Sequence, residues 1–220
     1  MRKYVSEIIG TFAMMFCGTG AIVINQETNG SITHLGIALT FGLIVMAMIH
    51  SLGSISGAHF NPAVTIAFTV AKKFEIKEVI PYIVSQLIGA VLASVTLRLL
   101  FPKNILLGAT MPLNNDFQAF VLEFIITFIL MFVILNVAHG SKEQGLFAGI
   151  SIGSTVLLLA LFAGPICGAS MNPARSIAPA LVSNHFEHLW LYIIAPILGA
   201  ISSVFVWKYI YQHNQDKINL

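Results

Sequence analysis

Charge is scarce in this chain: eleven Lys and Arg and nine Asp and Glu make 9% of 220 residues, against about 25% in an average soluble domain. Too little charge to cover a water-exposed surface, joined to 57% hydrophobic residues, makes it a membrane protein. Cysteine is scarce as well. Cys17 lies inside the first apolar run and Cys167 just before a later motif, too far apart in depth to pair as a disulfide. No His-Glu-x-x-His or phosphate loop occurs, and the one Gly-x-Ser-x-Gly, Gly149-Ile150-Ser151-Ile152-Gly153, lies inside a long apolar run rather than on a strand-to-helix turn, so an enzyme would have neither a placed nucleophile nor a metal. The seven histidines show no metal-ligand spacing, and no metal or cofactor is expected. The net charge of +2 comes from loop lysines rather than a basic patch, which leaves no nucleic-acid footprint.

Long apolar runs are what the chain does have. Six can be read, at about 4–25, 33–52, 79–101, 117–138, 145–163 and 189–211, each close to the ~20 residues that a bilayer core requires. The first follows Arg2 and Lys3 closely, contains Glu7 and has no small-residue cleavage site, so it reads as a retained span rather than a signal peptide. With six spans, Arg2, Lys3, Lys72, Lys73, Lys77, Lys142, Lys208 and Lys217 share one side while Arg98 and Lys103 lie opposite. Basic loops stay in the cytoplasm, so both termini are expected there, in a multi-pass protein of the plasma or inner membrane.

The tripeptide Asn-Pro-Ala occurs twice, as Asn61-Pro62-Ala63 and Asn172-Pro173-Ala174. Asparagine caps helix N-termini, and proline at the first helical position gives up no needed donor, so each copy predicts a helix start. Around them the halves resemble each other. Glu7-Ile8-Ile9-Gly10-Thr11-Phe12 matches Glu123-Phe124-Ile125-Ile126-Thr127-Phe128, and Ser56-Gly57-Ala58-His59-Phe60-Asn61 matches Cys167-Gly168-Ala169-Ser170-Met171-Asn172. Tyr82-Ile83 with Gly89-Ala90 matches Tyr192-Ile193 with Gly199-Ala200. A single channel domain over 1–220 is expected, with one repeat at about 1–103 and the other at about 116–212, and the short segment 139–144 read as a tight linker between them.

Three spans per half force the second half upside down relative to the first, an inverted repeat. The apolar stretches after each motif, 64–71 and 176–182, are too short to cross. They predict two re-entrant half-helices, tolerable only where buried in protein or lining a wet cavity. The expected fold is therefore an all-α membrane protein of six spanning helices and two half-helices.

At the meeting point Asn61 and Asn172 would offer amide donors, and two half-helix N-termini would add a positive potential. Such a site disfavours cations and breaks a proton-conducting chain of water. Arg175 follows the second motif, where Val64 stands in the first; a charge at membrane depth usually lines a water-filled cavity. Glu7 and Glu123, at matched positions, read either as ion-coupling carboxylates or, by their duplication, as acceptors for backbone donors of the re-entrant loops. His59 reads as lining or gate of a cytoplasmic vestibule. The glycines, Gly10, Gly18, Gly89 and Gly199 among them, suit close helix crossings.

Six spans, two Asn-Pro-Ala half-helices and an arginine after the second copy resemble the major intrinsic protein family of aquaporins and glycerol facilitators, over essentially the whole chain. The resemblance implies a homotetramer with one pore per subunit and passive, bidirectional flow. Carried over by position from the motifs, the family's outer constriction falls on Phe41, Ala160, Ala169 and Arg175. Water channels of the family carry histidine where this chain has Ala160, and glycerol facilitators carry aspartate where it has Ser176. With Tyr192 in the last span, the pattern resembles the nodulin-26-like branch. It implies a wider filter passing water, glycerol and uncharged metalloid acids such as boric or arsenous acid, unless Phe162 or Met171 fills the space. A strict water channel is the alternative within the family, and an ion-coupled carrier using Glu7 and Glu123 the alternative outside it.

Overall fold

The computed structural model describes the backbone of residues 1–138 and 146–218 and side chains as far as 211. Its spanning helices are α1 (Arg2–Glu27), α2 (Thr33–Ser56), α4 (Ile76–Leu100), α5 (Asp116–Ala138), α6 (Ala148–Cys167) and α8 (Leu189–Ile218), the last spanning over Leu189–Tyr211. Between them lie two short helices, α3 (Pro62–Val70) and α7 (Pro173–Ser183). Among the described residues there is no strand.

All six apolar runs coincide with the spanning parts of their helices to within four residues at each end, and two of the differences are informative. The run read as ending at 163 continues through Pro165 to Cys167. A proline leaves the carbonyl four residues back without its donor; His34 Nε2, at 2.9 Å, takes the Leu161 carbonyl instead, and the helix goes on. The segment 139–144, read as the linker between the halves, lies outside the described residues. By position it falls between α5 and α6, inside the second half; the halves join through 101–115.

The half-helices start as the motifs dictate. Asn61 caps α3 by accepting from Ala63 N at 2.9 Å, and Asn172 caps α7 by accepting from Ala174 N at 3.0 Å, each with proline at the first helical position. Each reaches across the molecule: α3 packs on α8, and α7 on α4. Lys208 of α8 donates to the Val70 carbonyl at 2.8 Å, placing a cation on the negative end of α3.

The other packing couples α1 with α2 and α4, α2 with α6, and α5 with α6 and α8. Small residues permit the closest crossings. A Cβ at Gly89 would lie 2.3 Å from the Ile8 carbonyl oxygen, and one at Gly199, its repeat counterpart, 2.2 Å from that of Phe124. Gly10 and Gly18 differ from the close-crossing expectation: they make room for aromatic rings, Phe60 and Phe41 respectively.

Candidate functional site

The two loops entering the half-helices repeat the same unusual backbone. Ala58 and Phe60 sit at φ 50° and 49°, Ala169 and Met171 at 41° and 53°, all non-glycine residues in the left-handed region. Such conformations cost of order 1–3 kcal/mol each and persist only when held from outside. The holding groups are Glu7 and Glu123, both fully buried. Glu7 accepts from His59 N (3.0 Å) and Phe60 N (2.8 Å), and also from Ser56 Oγ and Gln86 Nε2, both at 2.8 Å. Glu123 accepts from Ser170 N at 2.7 Å and Met171 N at 2.8 Å. Neither carboxylate lines the cavity described below, and their oxygens face loop donors.

So held, the loops meet. Asn61 Nδ2 donates to the Met171 carbonyl at 2.7 Å, and Asn172 Nδ2 donates to that of Phe60 at 2.9 Å. Each asparagine therefore uses its oxygen on its own helix and one N–H on the opposite loop. An amide carries two N–H donors, so one per asparagine remains for the lumen.

Both asparagines line a cavity of about 520 Å³. Its wall includes His50, His59, Leu146 and Gly149 as well as Phe41, Ala160, Ala169 and Arg175. Phe41 and His50 lie nine positions apart on α2, about 13 Å at a helical rise of 1.5 Å per residue, so the cavity is elongated along the bundle. Its wall is mostly apolar, with a few polar groups converging at the half-helix starts.

The four positions carried over as the constriction thus come together on one cavity. Ala160 and Ala169 are each 8% exposed, and Arg175 only 3%. The Arg175 guanidinium lies 5.3 Å from the Phe41 ring centre, and Nη1 donates to the Gly108 carbonyl at 2.7 Å. Arg175 Nε is buried without a hydrogen-bond partner. Phe162 is 69% exposed on α6 and absent from the cavity wall, so it does not fill the space beside Ala160; Met171 does line the cavity.

His59 lies on the cavity wall against Phe68, Phe74 and Tyr82, with ring centres 4.9, 4.8 and 5.1 Å away. Its Nδ1 lies 3.1 Å from Thr65 Oγ1. That hydroxyl also lies 3.0 Å from the Asn61 carbonyl and accepts from Gln86 Nε2 at 3.0 Å, so the ring is tied to the first motif through Thr65.

Two participants escaped the sequence reading. Gly108 and Thr110 belong to the connection between the halves. Thr110 Oγ1 donates to Ser176 Oγ at 2.8 Å, and Ser176 Oγ lies 2.6 Å from Ser170 Oγ, which donates to the Asn172 carbonyl at 2.9 Å. This hydroxyl chain ties the connection to the second motif.

The family model described as "MIP: Major intrinsic protein" matches residues 1–207. The chain is 47% identical over 210 residues to aquaporin NIP1-1 of Oryza sativa subsp. japonica, covering 95% of this chain and 73% of that protein. It is 47% identical over 209 residues to nodulin-26 of Glycine max, covering 94% and 77%. The structure of the aquaglyceroporin from Plasmodium falciparum is similar at a TM-score of 0.82 and 28% identity, covering 94% of each chain.

Proposed function

We infer, from the premise that the chain belongs to the major intrinsic protein family, that it forms a passive transmembrane channel for water and small uncharged solutes. Glycerol-like polyols and metalloid hydroxides such as boric and arsenous acid are the solute class, and protons and ions are excluded. Members of this family are channels and not enzymes, and this chain spans the membrane several times. The observation that carries the solute reading is the pair of alanines, Ala160 and Ala169, on the cavity wall beside Arg175 and Phe41. Small apolar side chains there leave room for a carbon skeleton on one side, while the guanidinium offers donors to hydroxyls on the other. A strict water filter would crowd that wall.

Ion exclusion follows from the same parts. Arg175 repels cations, and the α3 and α7 N-termini add positive potential where the asparagines meet. A water accepting from the remaining N–H of Asn61 or Asn172 turns its own hydrogens away, which interrupts a proton wire. His59, in this reading, is vestibule lining, and Glu7 and Glu123 are scaffold for the loops. The assembly proposed is a homotetramer with one pore per subunit, in the plasma or inner membrane with both termini cytoplasmic, as the lysine distribution favours.

Light scattering from proteoliposomes tests the proposal. Fast shrinkage in an impermeant sugar, with reswelling in glycerol and boric acid and no dissipation of a potassium or proton gradient, is expected. Solute uptake driven by an ion gradient, or reswelling at the bare-lipid rate, would contradict it.

A further inference from the structure

Helix α6 forms one wall of the cavity through Ile152, Val156 and Ala160. Pro165 follows little more than a turn after Ala160 and removes the donor that the Leu161 carbonyl would otherwise find. The Leu161 carbonyl is thereby left outside the helix ladder in the last turns of α6, where another donor has to take it if the turn is to stay closed. The replacement comes from 127 residues away: His34 Nε2 lies 2.9 Å from the Leu161 carbonyl oxygen. A carbonyl only accepts, so His34 carries its proton on Nε2, and the bond exists for both the neutral and the protonated ring.

The seat for that ring is built on both helices. A Cβ at Gly164 would lie 2.7 Å from His34 Cε1, so only glycine leaves space for the imidazole beside Pro165. On the α2 side, Thr33, immediately before His34, is at φ 64°, and its N–H donates to Asn25 Oδ1 at 2.8 Å, which fixes the first turn of α2. Deeper along the same contact, a Cβ at Gly42 would lie 2.6 Å from the Gly153 carbonyl oxygen, so the two helices have no slack at either end.

We propose that His34 is a positioning residue for solute selection: by closing the carbonyl that Pro165 leaves open, it fixes the turn of α6 that presents Ala160 to the lumen and thereby sets the upper size of the permeant. The proposal rests on the reading of Ala160 as part of the constriction. Freed from His34, the 160–165 turn can shift or open toward the lumen, and the size limit blurs.

The test is a cycle of His34→Ala, Pro165→Ala and the double variant, with His34→Gln as a conservative rescue, since a glutamine amide can also donate. Erythritol and glycerol permeabilities are measured in proteoliposomes, with deuterium uptake over α6 measured on the same preparations. His34→Ala is expected to raise the erythritol-to-glycerol ratio about threefold or more, with His34→Gln near wild type. In the Pro165→Ala background, where residue 165 regains its N–H, the histidine substitution should leave the ratio unchanged. A ratio unaffected by His34→Ala, or changed equally in both backgrounds, overturns the proposal. Should His34→Ala fail to assemble, the double variant still decides: assembly with a wild-type ratio supports the link, and failure there too overturns it. A wild type that passes no polyol contradicts the functional reading instead; the His34 link is then decided by whether His34→Ala speeds deuterium uptake over 160–168 only when Pro165 is present.

Discussion

Arg175 Nη1 donates to the Gly108 carbonyl at 2.7 Å, so the guanidinium on the cavity wall is aimed by a backbone oxygen from the connection that precedes α5. Gly108 is at φ 73°, and a Cβ there would lie 2.9 Å from Thr19 Cβ and 3.1 Å from Thr19 O. The carbonyl points where it does because the residue has no side chain.

Gly108→Ala should therefore cost about 1–3 kcal/mol from the left-handed backbone alone, with the Thr19 contact in addition. The expected result is a lowered unfolding temperature and a faster decay of an imposed proton gradient, as Arg175 loses its acceptor. An unfolding temperature and gradient decay equal to wild type would show that the glycine does not aim the arginine.

Glu123→Gln replaces one acceptor oxygen by a donor facing either Ser170 N or Met171 N. One buried N–H is then left open, worth about 1–3 kcal/mol, and Glu7→Gln leaves His59 N or Phe60 N in the same state. Both variants should lose thermal stability in detergent, while any correctly assembled fraction conducts water as before. If either variant keeps its stability but loses an ion-driven uptake that wild type performs, the carboxylates are coupling groups and the loop-holding role is wrong.

Legibility in the sequence follows the range of the forces involved. The spans were readable because apolar length alone decides them, and the half-helices because Asn-Pro is a local start signal that needs no tertiary context. Gly108, Thr110 and His34 were not. Gly108 acts through its carbonyl, Thr110 through a hydroxyl chain to Ser170, and His34 through a bond to a helix that a reading of Pro165 alone would terminate at 163. Each joins residues far apart in the chain, and none belongs to a motif. The asparagines are legible from the motif, but the bond each makes to the loop opposite is not, since it joins residues more than a hundred positions apart.

Gly199→Ala puts a methyl group 2.2 Å from the Phe124 carbonyl oxygen, and Gly89→Ala one 2.3 Å from that of Ile8. Backbone cannot rotate away as a side chain can, so α5 and α8, or α1 and α4, must separate. Overpacking of this kind costs about 1–3 kcal/mol. Gly53→Ala, whose nearest neighbour would be Ile49 Cγ2 at 3.9 Å, is the control and should unfold at or above the wild-type temperature. Equal stability of all three variants would contradict the close-crossing account.

The most direct test of the central claim is stopped-flow light scattering from proteoliposomes of wild type and Ala160→His, comparing shrinkage in an impermeant sugar with reswelling in glycerol. An imidazole on the cavity wall beside Arg175 should leave water flow within about threefold while cutting glycerol flow by roughly tenfold or more, in keeping with the sensitivity of selection to small changes in pocket size. Glycerol flow unchanged by the histidine, or undetectable already in wild type, would contradict a solute filter at Ala160.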